Sequence, residues 1–91
     1  MDIKLGKLRI DVEFMGNKIQ VFNSPKVCSL VINNEVFDTY KGLAAGIFEL
    51  HGKIQTPDNE EKDVLVEMSI FAMMRVYCNG IQIAKKWIPF G

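Results

Sequence analysis

Ninety-one residues suffice for one small domain, one that buries roughly 60–65% of its unfolded surface. Apolar residues make up 48% and charged ones 24%, which excludes an intrinsically disordered chain. Eleven basic residues balance eleven acidic ones and are scattered along the chain, so no basic stripe invites nucleic acid and no field draws the protein to an anionic membrane.

The N-terminus, MDIKLGKLRID, mixes charges into every turn and offers no signal-peptide core. The longest apolar run, Ile70 to Met74, is too short to span a bilayer as a helix. The expectation is a cytoplasmic protein in a reducing compartment. Two cysteines make neither a disulfide framework nor a zinc site.

Taken in order, Leu8, Ile10, Val12 and Phe14 alternate with Arg9, Asp11 and Glu13, a period of two that predicts a half-buried strand. Met15-Gly16-Asn17 closes it, the Gly-Asn pair suiting a tight hairpin, and Lys18 to Phe22 returns. Asn23-Ser24-Pro25 breaks the pairing because proline has no amide hydrogen to give. A third strand from Lys26 to Ile32, a turn at Asn33-Asn34 and a returning strand from Glu35 to Tyr40 follow. The segment Lys41 to Gly46 has no room for a full helix. Ile47 to Ile54 alternates again, with Gly52 marking a bulge or a close backbone approach. Gln55 to Lys62 reads as a solvated loop.

Apolar residues then occupy every even position from Val64 to Cys78, ahead of the hairpin dipeptide Asn79-Gly80 and the apolar Ile81 and Ile83. As one strand, Val64 to Cys78 would run about 50 Å at ~3.3 Å per residue, so it must bend or break, and Ser69-Ile70-Phe71 is the expected place. Lys26–Tyr40 and Ala72–Lys86 then share one plan, strand–turn–strand, with Asn33 corresponding to Asn79. Eight short strands and no helical period predict an all-β fold in a single domain over residues 1–91. The architecture expected is an antiparallel β-sandwich, with a small β-barrel as the alternative.

Chemistry-bearing residues are few. His51 is the only histidine and shares a strand face with Glu49 and Lys53; an enzyme would need it in a cleft beside a thiol or carboxylate. Cys28 and Cys78 sit among apolar residues, where a thiol behaves as a small hydrophobe. Equivalence with Met74 and Ile32 puts them at different heights and disfavours a bridge. Asp58, Glu60, Glu61 and Asp63 lack calcium-loop spacing. The reading is a non-enzyme with no cofactor and no metal.

The informative surplus is apolar. Phe71, Met73 and Tyr77 occupy the odd side of strands whose even side already fills a core, and Val27 and Val31 do the same opposite Cys28, Leu30 and Ile32. Trp87, Ile88 and Phe90 end the chain where polar residues are usual. These predict a protein–protein interaction module, self-associating as a homodimer through Phe71, Met73, Tyr77, Trp87 or Phe90. The alternative is a domain binding a small apolar or carbohydrate ligand in a pocket lined by Phe48, Met74, Tyr77 or Trp87.

Three stretches, NKIQVFNSPKVCSLVINNEVFDTYKG, GIFELHGKI and VLVEMSIFAMMRVYCNGIQI, together resemble the β-sandwich core of the Fas apoptotic inhibitory molecule family over about residues 17 to 83. The shared features are an Asn-Lys-Ile strand, a break, a strand ending in a tight turn, a glycine-bounded linker and a late strand pair with Asn-Gly. Asn33-Asn34 stands where that family has a glycine-ending turn, and Phe37–Leu43 lacks its tryptophan. The resemblance implies a β-sandwich used for protein contacts, with no catalytic residue carried over.

Overall fold

The computed structural model describes residues 7–24, 27–41, 48–68 and 73–87. Eight strands occupy them: β1 (Lys7–Phe14), β2 (Asn17–Asn23), β3 (Val27–Ile32), β4 (Glu35–Lys41), β5 (Phe48–Gln55), β6 (Glu61–Met68), β7 (Met73–Cys78) and β8 (Ile81–Trp87). They form two four-stranded antiparallel meanders, β1-β2-β3-β4 and β5-β6-β7-β8. The sheets stack as a sandwich and do not close into a barrel.

Period-two alternation is what drives the two layers together. Ile10, Ile19, Val21, Cys28, Leu30 and Ile32 from the first sheet meet Phe48, Leu50, Ile54, Val64, Val66, Met68, Met74, Val76 and Cys78 from the second in one buried cluster. Burying each such aliphatic side chain contributes about 1.5–3 kcal/mol. The polar residues between them stay on the two outer faces.

Three two-residue turns have the paired positive φ values that match strand twist. They are Met15-Gly16 (51° and 79°), Asn33-Asn34 (51° and 67°) and Asn79-Gly80 (49° and 82°). The first hairpin therefore turns one residue earlier than the Gly-Asn pair expected. Asn17 is instead the first residue of β2 and is buried. Its Nδ2 donates to the carbonyls of Met15 (3.1 Å) and Gln55 (2.9 Å), and its Oδ1 accepts from Asn33 Nδ2 (2.8 Å).

The internal echo holds at residue level. The Asn33 amide donates to the Lys18 carbonyl (2.9 Å) while Asn33 Oδ1 accepts the Lys18 amide (2.9 Å). Asn79 does the same with Asp63, both at 2.9 Å. Each turn asparagine thus extends the ladder to a third strand with one backbone and one side-chain bond. A bulge leaves Phe37 unpaired in β4 and Ile83 unpaired in β8, again equivalent positions. The Val64–Cys78 run divides as expected, β6 ending at Met68 and β7 starting at Met73 with Val64 opposite Cys78; Ser69, Ile70 and Phe71 lie outside the described residues.

Gly52 resolves to a close approach. β5 pairs with β6 without a register shift, so there is no bulge. A Cβ at Gly52 would lie 2.8 Å from Ile32 Cδ1, 2.9 Å from Leu30 Cδ2 and 3.3 Å from Phe37 Cβ. At this corner the Asp38 carboxylate crosses between sheets, Oδ2 accepting the His51 amide at 2.8 Å. An edge-strand donor is thereby satisfied within the chain.

Candidate interaction surface

Of the five residues expected to mediate contacts, Met73 and Tyr77 have described side chains. Met73 and Tyr77 lie on the outward side of β7, both half-buried, while Met74, Val76 and Cys78 point into the core. Phe71 and Phe90, and the side chain of Trp87, lie outside the described residues; the Trp87 backbone pairs with Met73.

Register across the second sheet defines the rows of this outward face. Tyr77 faces Leu65 of β6 on one side and Gln82 of β8 on the other, and Leu65 in turn faces His51 of β5. Leu65 and Tyr77 form an apolar centre. The adjacent row is wholly charged: Glu49, Glu67, Arg75 and Lys85, one from each strand in order. Glu67 Oε1 lies 3.6 Å from Arg75 Nη1 with both side chains 35% exposed, and Glu49 Oε1 lies 3.6 Å from His51 Nε2. Sequence alternation identifies Met73 and Tyr77 as outward. It does not reveal the charged row, because that row depends on the registers of three separate ladders.

The first sheet carries its own surplus. Val31 is buried (5% exposed) yet faces away from Cys28, Leu30 and Ile32, between Gln20 and Val36 of the neighbouring strands. Leu8, Val36, Phe37 and Tyr40 are exposed. Tyr40 stacks on Phe48 with ring centroids 4.4 Å apart and planes within 4°.

His51 is exposed on its strand. It lines an open groove of about 730 Å³ with Phe37, Gly52, Lys53, Asp63, Leu65 and the Asn79-Gly80 turn. Neither cysteine lines this groove, and the expected pocket walls lie elsewhere: Phe48 and Met74 are in the core. Among the described residues no group of His, Cys, Asp or Glu is arranged to hold a metal ion, and no helix is long and apolar enough to cross a membrane.

Both cysteines are free and buried. Burial raises the Cys28 thiol from its ordinary 9.0 to about 12. Cys78 is also raised, chiefly by burial, with Lys62 pulling it down and Asp63 pushing it up. A thiol whose pKa is higher folded than unfolded contributes stability that is intact below the unfolded value and declines as pH rises past it. Urea unfolding of the protein is therefore expected to show stability falling from about pH 9 upward, more steeply than in a Cys28→Ala variant. Equal slopes for the two proteins would refute the assignment.

Comparisons with family models, with curated proteins and with solved structures found no match.

Proposed function

We propose that the protein is a non-catalytic protein–protein contact module that associates with itself. The observation that carries this is the outward side of β6 and β7. Leu65, Met73 and Tyr77 are half-buried there, although the opposite side of the same strands already supplies Val64, Val66, Met74 and Val76 to the core. A sheet needs one apolar face to fold; a second apolar strip is the composition of a contact surface. The resemblance to the Fas apoptotic inhibitory molecule family points the same way, toward a β-sandwich that works by protein contact. Buried free thiols at Cys28 and Cys78 suit a reducing, cytoplasmic setting.

Sedimentation equilibrium from micromolar to millimolar protein is expected to show mass rising reversibly from one chain to two. A constant single-chain mass over that range would sink the reading.

A further inference from the structure

Resting on that reading, we infer that the partner on the second sheet is a second copy of the same chain. The copy sits face to face, related by a two-fold axis parallel to the strands and midway between β6 and β7. The single chain carries an electrostatic defect on this face. Glu49 lies directly opposite Glu67, and Arg75 directly opposite Lys85. Like charges on facing positions of neighbouring strands are destabilising, and here two such pairs occur in one row. The Glu67–Arg75 contact at 3.6 Å joins the two halves but leaves a row that reads minus, minus, plus, plus from β5 to β8.

A two-fold axis along the strands reverses that order. It lays β5 over β8 of the other copy and β6 over β7. Glu49 then meets Lys85, Glu67 meets Arg75, and each pairing occurs twice because the interface is isologous. The neighbouring row follows the same operation: Leu65 of one copy lies over Tyr77 of the other, and Tyr77 over Leu65, giving an apolar row beside the charged one, with Met73 on the charged row's far side. The overall formal charge is zero, so no net repulsion keeps two copies apart. The two sheets stack in the aligned manner usual for β-sandwiches.

The geometry makes a demanding forecast for charge reversals, read by sedimentation velocity. Glu67→Lys places lysine over arginine twice, and Arg75→Glu places glutamate over glutamate twice. Each variant alone is expected to dimerise roughly tenfold or more weakly than the wild type. An equimolar mixture of the two is expected to recover a dimer, since every lysine or arginine then faces a glutamate. Dimerisation of the wild type also weakens with added salt. Circular dichroism establishes that the variants are folded, and the exposed pair Glu49→Lys and Lys85→Glu repeats the experiment without touching the Glu67–Arg75 contact.

Recovery in both mixtures supports the two-fold arrangement. A wild-type dimer indifferent to every reversal, or mixtures that stay monomeric, overturns it while leaving self-association standing. A wild type that never dimerises removes the underlying reading as well.

Discussion

Leu30→Ala is expected to destabilise the protein by about 2–5 kcal/mol, the range for removing a fully buried leucine and leaving part of its volume empty. Leu30 has no exposed surface. It lies in β3 between Val21 of β2 and Asp38 of β4, and its Cδ2 reaches across to the backbone of β5 at Gly52. Deleting the side chain opens a gap between layers where the neighbours are themselves pinned in ladders, so relaxation is limited. A domain of this size has only about 5–10 kcal/mol to lose. Urea titration by circular dichroism would show the midpoint falling without a large change in slope; a loss below about 1 kcal/mol would mean that the sheets are not in contact there.

Gly52→Ala probes the same contact from the other side, with an expected cost of about 1–3 kcal/mol from overpacking. The added methyl would lie 2.8 Å from Ile32 Cδ1 and 2.9 Å from Leu30 Cδ2. Both atoms end flexible side chains, but those residues are 1% and 0% exposed and have little free space to swing into. Phe37 Cβ at 3.3 Å limits escape in a third direction. Combining the two substitutions is informative because one creates the room the other requires. The double variant should lose less stability than the sum of the singles, by about 0.5–3 kcal/mol of coupling, with the Ile32 contact preventing full relief. Strict additivity in the cycle would contradict the close approach at Gly52.

Much of this architecture is legible in the residues, and the reasons differ by element. Period-two alternation identifies β1, β5, β6 and β7, since each has one face in the core. Asn33-Asn34 and Asn79-Gly80 announce their turns because few dipeptides accept two positive φ angles. The first hairpin is displaced by one residue because Met15 accepts φ 51°, freeing Asn17 to satisfy two carbonyls. No local pattern encodes that exchange, which depends on Gln55 arriving from the other sheet.

The bulges at Phe37 and Ile83 are invisible for a similar reason. A bulge is a property of two strands' registers, and neither EVFDTYK nor IQIAKKW carries a glycine to flag it. Gly52 was half legible: a glycine in a strand signals either a bulge or a near neighbour, and only the distances to Leu30 and Ile32 decide. The charged row across β5 to β8 lies furthest from the sequence. Glu49, Glu67, Arg75 and Lys85 come from four separate segments, and only the summed registers bring them into line.

The meander order of each layer bears on how the chain finds its shape. Every ladder joins strands that are consecutive in sequence, so each pairing requires closure of only a short loop, and closure entropy rises slowly with length. Non-local topology is what slows all-β chains, and here it is confined to docking one layer on the other. Each turn asparagine reinforces this economy: Asn33 and Asn79 fasten a hairpin to the strand before it, so three strands are tied at one point before any contact between layers is needed.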